Sequence, residues 1–282
     1  MKTPFTKLLA AAAVAAALAP ASASATFLND WYLDPDGPMG PAGKVQINQY
    51  LDLTGFSYIQ TTPTGGSSFT FKDDGVFILS GHDGGSSLFS GPPNVQLTAV
   101  YAGGTGSGSF GGSFTFNGGG ILNLYSDTSF DYGSTTGIYG ADNGTNFATL
   151  VQVPGGGGTV YTSGIPNGAL TLIFQVTSLL PGYAFAPDGV TDLSTYLANG
   201  PLLFGFTTVN ASYNSNPTNT MRDEVAFELA GNTLANYTNT PPKDFFVGNN
   251  GQFRLAVPEP GSLALLGLGF AGMGWLARRR KG

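Results

Sequence analysis

The sequence predicts an all-β protein whose body is an antiparallel β-sandwich or jelly-roll-like fold, with an N-terminal signal helix before it and a C-terminal transmembrane helix after it. Three observations support this prediction. Short apolar stretches, often alternating with polar residues, recur along the chain. Clusters of Gly, Pro and Asn, which are typical of turns, separate them. Long uncharged apolar runs beside basic residues occur near the two chain ends.

The N-terminus has the pattern of a secretory signal. Lys2 and Lys7 begin it, and the apolar run 8–19 that follows is too short to anchor the protein across a membrane. Ala23 and Ala25 provide the small side chains that a signal peptidase requires at alternate positions. We expect cleavage after Ala25 or, alternatively, two residues earlier after Ala23. The remaining chain would then fold outside the cytoplasm.

Strand predictions follow from the apolar stretches between turn residues. The predicted strand segments are 69–80, 95–101, 113–125, 147–153, 169–177, 202–209, 224–229 and 245–257. Turns are expected inside three of them, at Asp73-Asp74-Gly75, at Gly118-Gly119-Gly120 and at Asn249-Asn250-Gly251. The Gly-rich residues 103–112 are expected to form a flexible connection, and 188–200 a short helix. The sequence shows no clear boundary, so one domain is predicted.

The part of the chain between the terminal signals, residues 26–257, is acidic and lacks cysteine. It has five basic residues and 16 of the 17 acidic residues of the chain, which gives a net charge of −11. Such a charge does not attract nucleic acid or anionic lipid. The absence of cysteine excludes disulfides, thiol catalysis and cysteine-ligated metals. The stability of this part must therefore come from an apolar core.

The C-terminus combines three features in a fixed order. The tripeptide Pro258-Glu259-Pro260 precedes the uncharged residues 261–277, and these are followed by Arg278, Arg279, Arg280 and Lys281. Residues 261–277 are at the short limit for a transmembrane helix. The basic cluster would remain on the cytoplasmic side and act as a stop. A core helix with a basic end is the alternative interpretation.

This order of features, with a signal at the N-terminus, resembles the PEP-CTERM sorting signal of Gram-negative bacteria that make exopolysaccharide. The resemblance implies that a membrane exosortase recognises the tail and cleaves at or near Pro258-Glu259-Pro260. The tail would anchor the protein in the inner membrane until then, and a permanent anchor is the alternative. Residues 136–144, 167–178 and 249–260 resemble the flocculation-associated group of PEP-CTERM proteins. That likeness implies a role in retaining cells in an exopolysaccharide-dependent floc.

The chain is therefore divided into three predicted parts. They are a signal peptide at 1–25, an extracytoplasmic β-rich domain at 26–257 and a PEP-CTERM sorting signal at 258–282. The sorting signal comprises the PEP motif at 258–260, the transmembrane segment at 261–277 and the basic cluster at 278–281.

Few residues are candidates for catalysis. The only histidine, His82, lies beside Asp83, but no serine stands in a nucleophile motif, so we interpret His82 as a turn residue. The densest acidic group is Asp223, Glu224 and Glu228. Strand alternation would place Glu224 and Glu228 together on one solvated face. We therefore predict no catalytic residue and no enzymatic activity.

Two kinds of ligand stay open. Carboxylate-rich turns at Asp34-Pro35-Asp36-Gly37 and Lys72-Asp73-Asp74-Gly75 offer the oxygen ligands that calcium prefers, but neither completes an EF-hand loop. No metal-ligating residue is assigned, and no other cofactor is expected. Trp31-Tyr32, Tyr132 and Tyr139 have rings that can stack on sugars, although packing within the protein is the simpler interpretation.

The sequence thus predicts a secreted, exosortase-sorted surface or matrix protein that supports exopolysaccharide-associated cell aggregation in flocs or biofilms. Its expected mode of action is weak multivalent contact through hydroxyl and amide side chains and through cations that bridge carboxylates. The expected partners are the exosortase and an exopolysaccharide, and nucleic acid is excluded. A carbohydrate-binding module is the first alternative, and a glycan-active enzyme is a less favoured one.

Overall fold

The structure, a computed structural model, describes residues 25–38, 40, 43–85, 95–161, 167–198 and 200–258 of the 282-residue chain. The chain divides into two compact units. Phe27–Ala256 forms the larger one, called the main unit, and Met1–Thr26 with Val257–Gly282 forms the other. The predicted signal helix and the predicted transmembrane segment lie outside the described residues.

The described residues are mostly in β-strands. In chain order these are β1 Ala25–Phe27, β2 Trp31–Leu33, β3 Val45–Ile47, β4 Leu51–Gly65, β5 Ser68–His82, β6 Gln96–Ser109, β7 Ser113–Phe116, β8 Ile121–Asp127, β9 Thr145–Gln152, β10 Gly157–Tyr161, β11 Asn167–Leu179, β12 Ala184–Phe185, β13 Leu203–Asn214 and β14 Asp244–Pro258. The helical elements are a 3₁₀-helix at Leu193–Ala198, one α-helical turn at Asn219–Met221 and a π-helix at Arg222–Leu229.

Most of these strands form one antiparallel sheet that closes on itself as a ring. From β4 the hydrogen-bonded neighbours follow in the order β5, β6, β8, β9, β11, β13 and β14, and β14 pairs again with β4. At one end, β7 and β10 bridge β6 to β11. The predicted all-β antiparallel fold is confirmed. Closure also means that the ring strands present no long unpaired edge to another chain.

The interior of the ring is the principal core. Phe77 on β5 faces Phe206 on β13, with ring centroids 6.4 Å apart, and Tyr101 on β6 meets Phe174 on β11 at 5.7 Å. Two sides of the sheet therefore pack face to face, as in the predicted sandwich. Trp31, which is 1% exposed, lies among these interior side chains.

The main unit also contains a small second sheet and the 3₁₀-helix. The second sheet has the order β12-β2-β3. The 3₁₀-helix falls within the helix predicted at 188–200 and confirms it in shortened form. The Asp192 carboxylate accepts from Ser194 N at 2.8 Å, and Gly200 N donates to Tyr196 O at 3.1 Å just beyond the helix. These contacts fix where the short helix begins and ends.

A second apolar cluster covers the outer face of the sheet where β4, β5 and β14 meet. Val225 and Ala226 of the π-helix, both fully buried, pack there with Phe56, Tyr58 and Phe246. The rings of Tyr58 and Phe246 are 4.9 Å apart. The sheet is thus packed on both of its faces in this region.

The predicted strand at 224–229 is wrong, because these residues belong to the π-helix. A strand would bury every second residue, whereas the neighbours Val225 and Ala226 are both buried. Glu224 is 9% exposed and Glu228 is exposed, so the two carboxylates do not share a solvated face. Alternation in the sequence alone does not show that the residues beneath this segment form an apolar platform.

Of the three predicted turns inside strand segments, the Gly-rich one at 118–120 is confirmed, because it separates β7 from β8, and the other two are wrong. Residues 73–75 lie within the continuous β5, and residues 249–251 lie within the continuous β14. Each strand is hydrogen-bonded to a neighbour on both sides, β5 to β4 and β6, and β14 to β4 and β13. The long ladders outweigh the local turn preference of Asp-Gly and Asn-Gly sequences.

The predicted flexible connection at 103–112 is wrong as well, because β6 continues as far as Ser109. Glycine is required there by packing. A Cβ atom on Gly106 would lie 2.4 Å from the Phe71 ring. The glycine therefore makes room for an aromatic side chain of the core.

Candidate functional site

The C-terminal motif follows directly from the last strand of the ring. β14 ends at Pro258, the first residue of the PEP tripeptide, and Ala256 is still paired with Leu203. Glu259 and Pro260 lie outside the described residues, as do the predicted membrane segment and the basic cluster Arg278, Arg279, Arg280 and Lys281. At the other predicted processing site, Ala25 begins β1, and Ala23 lies outside the described residues. Among the residues that are described, no helix combines the length and the apolarity needed to cross a membrane.

The first and last residues of the main unit are close together. Leu28 N donates a hydrogen bond of 2.9 Å to Leu255 O. Beside this pair, the Arg254 guanidinium lies 5.6 Å from the centre of the Phe27 ring and 5.5 Å from that of Tyr50. The polypeptide therefore enters and leaves the main unit at the same place.

Charge is distributed very unevenly along the ring. Residues 84–126, 143–187 and 193–221 contain no Asp, Glu, Lys or Arg. These stretches supply β6, β7, β9, β10, β11 and β13, and all of β8 except its final residue, Asp127. One side of the ring is therefore free of charge, although residues 26–257 carry a net charge of −11.

The outer surface of β8, β9, β11 and β13 is called the uncharged face. It includes Ile121, Thr149, Val151, Thr171, Ile173, Gln175, Thr177 and Thr207. Cross-strand register places Ile121 opposite Val151 and Val151 opposite Gln175, and a second row pairs Thr171 with Thr207. Ile121 and Ile173 are each 43% exposed. The face thus alternates aliphatic groups with hydroxyl and amide groups.

A gap interrupts this face at Gly205, which is opposite Ile173. No atom lies within 4 Å of the position that a Cβ on Gly205 would occupy. The other cross-strand neighbour of Gly205 is Arg254, so a cation borders the face at this point.

The basic side chains of residues 26–257 are all engaged by neighbouring groups. Lys44 Nζ lies 3.4 Å from the centre of the Phe185 ring, and Arg222 is 2.7 Å from Asp223 Oδ1. The other contacts are Lys72 with Asp74 at 3.0 Å, Lys243 with Asn236 O at 2.8 Å, and Arg254 with two aromatic rings. The cations therefore do not form a basic patch for an anionic polymer.

His82 and Asp83 form a structural contact. Asp83 Oδ2 lies 2.8 Å from His82 Nδ1 and accepts from Asn48 N at 2.8 Å, while Oδ1 accepts from Gln49 N at 2.7 Å and Tyr50 N at 3.2 Å. Burial acts to raise the pKa of Asp83, but these hydrogen bonds outweigh it and lower the pKa. The carboxylate holds the chain before β4 in place. The interpretation of His82 as a turn residue is wrong, because His82 is the buried last residue of β5 and the turn begins at Asp83.

The proposed calcium turns have different environments. The carboxyls of Asp34 and Asp36 are hydrogen-bonded to each other, and burial, this bond and the Asp36 charge raise the pKa of Asp34 to about 7. Asp73 and Asp74 are 5% and 1% exposed within β5. Within the described parts of the chain, no three His, Cys, Asp or Glu side chains converge on a position that could hold a metal ion. Calcium binding stays a prediction.

The aromatic residues considered as a sugar platform pack within the protein. Trp31 is buried against Phe204, with ring centroids 6.3 Å apart. Tyr132 and Tyr139 meet edge to face at 5.2 Å, and both pack against the outer apolar cluster. Trp31, Tyr132 and Tyr139 therefore do not offer an exposed flat ring to a ligand, and Tyr32 is half-buried.

The fold and the site together define a class: an acidic, cysteine-free, all-β protein whose last ring strand leads into a PEP sequence. Comparison with protein families then shows that residues 256–281 match the PEP-CTERM protein-sorting motif. The chain therefore carries a PEP-CTERM signal, which confirms that resemblance. This motif implies recognition by an exosortase at the C-terminus, export, and sorting to the cell surface. No curated protein and no solved structure matches the chain, and the likeness to the flocculation-associated group stays a prediction.

The uncharged face is a feature that the sequence analysis missed. The three uncharged stretches are visible in the sequence as gaps between Asp83 and Asp127, between Asp142 and Asp188, and between Asp192 and Arg222. What could not be read from them is that their strands are neighbours, since β13 lies between β11 and β14 only because the ring closes.

Proposed function

We propose that the protein is a surface or extracellular-matrix protein of a Gram-negative bacterium, where it supports exopolysaccharide-associated cell aggregation in flocs or biofilms. The single observation that supports this function best is the uncharged face. Its strands repeat at about 4.8 Å, so hydroxyl, amide and aliphatic groups recur at regular short intervals. A neutral sugar chain has the matching chemistry, because hydroxyl groups surround the apolar faces of its rings.

The electrostatics favour a neutral polysaccharide as the direct partner. The net charge of residues 26–257 repels an anionic polymer, and their cations are already engaged. An acidic polysaccharide would need calcium to bridge its carboxylates to those of the protein. Asp223, whose side chain is 50% exposed, and the exposed Glu228 are groups that such bridging would use.

The proposed binding is weak at each contact and acts through many copies. We do not assign it to an aromatic platform, because Trp31 is buried. No reaction is part of the proposal. The protein would act as a noncovalent link between matrix polymer and cell surface, with the exosortase as its processing partner.

The first test is complementation of a gene-deletion strain. Settling of cells is measured after the strain receives the full chain or a chain that ends at Val257. The expected result is that the full chain restores settling, while the truncated chain is secreted without restoring it. Unchanged settling in the deletion strain would contradict the proposed role in aggregation.

A second test examines the face itself. Ile173→Lys places a charge at the centre of the uncharged face, and Leu234→Lys places the same charge at a 70% exposed position elsewhere. Co-sedimentation with isolated neutral exopolysaccharide should weaken severalfold for Ile173→Lys and stay unchanged for Leu234→Lys. Equal binding by both variants would argue against the face. If Ile173→Lys instead binds an isolated acidic exopolysaccharide more strongly than the wild type binds the neutral one, the partner is an anionic polymer.

The calcium component has its own test. Aggregates held together by bridged carboxylates should disperse when a calcium chelator is added and re-form when calcium is restored in excess. Aggregates that resist the chelator would remove calcium from the proposal and leave the contact through the uncharged face.

A further inference from the structure

The interior of the ring contains a cavity beside Asp73. Its wall is largely apolar and includes Phe77, Phe174 and Phe253. It has about 30 Å³ of room for the centres of water-sized molecules, and a water molecule needs roughly 10–15 Å³ on this measure. The cavity can therefore hold one or two water molecules, and it is too small for a sugar or another organic ligand.

Two oxygen atoms on residues of this wall have no hydrogen-bond partner in the protein. They are Asp73 Oδ1 and Asn249 Oδ1. Both residues are more than nine-tenths buried, with 5% of Asp73 and 7% of Asn249 exposed. Buried acceptors almost always have a partner in native proteins, because otherwise they lose the hydrogen bonds that solvent made to them.

The bonds around these atoms determine what the missing partner must offer. The Ser57 hydroxyl is hydrogen-bonded to the Asp73 carboxylate, and Asn249 Nδ2 donates to Ser57 Oγ at 3.2 Å. A hydroxyl has one proton, and Ser57 gives it to Asp73. The Asn249 amide must therefore direct an N–H to Ser57, which leaves its carbonyl oxygen free. The missing partner has to donate two hydrogen bonds.

The backbone next to these groups is shaped to keep them in place. Gly75 is opposite Ser57 across β4 and β5. A Cβ atom on Gly75 would lie 2.8 Å from Ser57 Oγ and 2.9 Å from Phe56 O. Any larger residue would displace the serine that connects Asp73 to Asn249, so the polar group is built into the fold.

We propose that this cavity binds an ordered water molecule that donates one hydrogen bond to Asp73 Oδ1 and the other to Asn249 Oδ1. Water meets the requirement for two donated bonds, and it fits the available volume. Calcium does not, because it takes about six to eight oxygen ligands, and the polar residues of the wall are Ser57, Asp73, Tyr101 and Asn249. The Tyr101 hydroxyl is already bonded to Gln152 Oε1 at 2.5 Å.

The water also explains how a carboxyl group is accommodated inside an apolar core. Burial, with the nearby charge of Asp74, raises the pKa of Asp73 to about 7. A water molecule can donate to the ionised carboxylate and can accept from the protonated carboxyl after rotating. The site therefore remains hydrogen-bonded in both protonation states.

A crystal structure of the exported form, residues 26–257, tests the proposal directly. This segment contains the closed ring and its core, so it includes the site complete. We expect one density peak at about 2.6–3.2 Å from both Asp73 Oδ1 and Asn249 Oδ1. An empty cavity would overturn the proposal. A peak at about 2.3–2.6 Å would do so too, because that distance indicates a bound cation.

Oxygen-17 relaxation dispersion, which detects long-lived buried water, tests the same site in solution. Asn249→Leu removes one of the two acceptors and fills part of the cavity, so the protein should lose the contribution of one such water molecule. Asn250→Leu makes the same change at the neighbouring exposed residue of β14 and should lose none. An equal signal from the wild type and Asn249→Leu would contradict the proposal. If Asn249→Leu fails to fold, the wild-type crystal structure still decides.

Discussion

Asp73 and Asp74 are neighbours in the sequence, both are buried, and they lie on opposite faces of β5. Asp74 is on the outer face, where Lys72 Nζ is 3.0 Å away and Gly103 N donates to it at 2.8 Å. Lys72 also donates to Ala230 O, at the end of the π-helix, at 3.0 Å. Asp74 and Lys72 thus link β5 to Gly103 of β6 and to the helix that covers the sheet.

Asp73, on the inner face, has no cation beside it. Ser57 is its hydrogen-bonding neighbour, and the aromatic side chains of the ring interior surround it. The comparison shows that burial alone does not predict what a carboxyl group does for stability. A compensated carboxylate holds elements together, whereas an uncompensated one makes the fold sensitive to pH.

The largest expected change in the free energy of unfolding comes from Asp74→Ala. It removes the ion pair and the acceptor for Gly103 N, and it leaves Lys72 without its anion. We expect the free energy of unfolding at pH 7 to fall by about 3 kcal/mol, measured by urea denaturation of residues 26–257. A change below about 0.5 kcal/mol would show that the outer carboxylate is not a link of this kind.

Asp73→Asn, by contrast, should raise the free energy of unfolding at alkaline pH. The folded-state pKa of Asp73 is raised from 3.8 to about 7, so the folded protein binds more protons than the unfolded chain between these values. Stability therefore falls as the pH rises through this range, by up to about 4 kcal/mol. Asparagine does not titrate, and we expect the variant to be more stable than the wild type at pH 8 by about 2 kcal/mol.

The control for Asp73→Asn is the same variant at pH 4, where little of this difference should remain. Part of the pH dependence should persist in the variant, because the pKa of Asp34 is also raised to about 7. Loss of stability by Asp73→Asn at both pH values would mean that the inner carboxylate makes a favourable contact that offsets its burial.

Asp244 is a third buried carboxylate, and hydrogen bonds rather than a cation compensate its charge. It accepts from the Tyr58 hydroxyl at 2.6 Å and from Thr238 N at 2.8 Å. Burial opposes ionisation, but these bonds and those from the Thr238 hydroxyl and Asn239 N lower the pKa of Asp244. Asp244→Asn should cost about 1 kcal/mol at pH 7. The difference in the free energy of unfolding between the wild type and the variant should shrink as the pH falls below 3.8, because the wild-type carboxylate then becomes protonated. A difference that stays constant with pH would exclude a charge effect.

The smallest change in the free energy of unfolding is expected for a substitution on the uncharged face. Ile173→Lys should change the free energy of unfolding by less than about 0.5 kcal/mol, because Ile173 is 43% exposed and Lys can extend into solvent. Thermal denaturation checks this value. A larger loss would mean that the reduced polysaccharide binding expected for this variant reflects partial unfolding.

The sequence was informative where local pattern and tertiary contacts agree. Alternating apolar residues predicted β9, β11 and β13, and the apolar residues of 69–80 predicted most of β5, because these strands bury one face inside the ring. The PEP tripeptide with its flanking segments predicted the sorting motif, because that signal is contained in a short contiguous segment.

Prediction failed where distant residues decide the local structure. Asp-Asp-Gly favours a turn, but at 73–75 the compensation of Asp74 by Lys72 and Gly103 N allows the strand to continue. Residues 224–229 alternate like a strand, yet the apolar platform formed by Phe56, Tyr58 and Phe246 selects a π-helix. Neither environment can be read from the segment itself. The uncharged face also depends on strand order, which local pattern does not contain.

The position of β14 has a mechanical consequence. This strand is hydrogen-bonded to β13 and to β4 along most of its length, and its C-terminal end is where the PEP sequence begins. When this end is pulled and the rest of the ring resists, the force runs parallel to the strand. It loads many hydrogen bonds of two ladders simultaneously in shear, so they do not open one after another. The last strand therefore makes a mechanically strong point of attachment for the C-terminal segment.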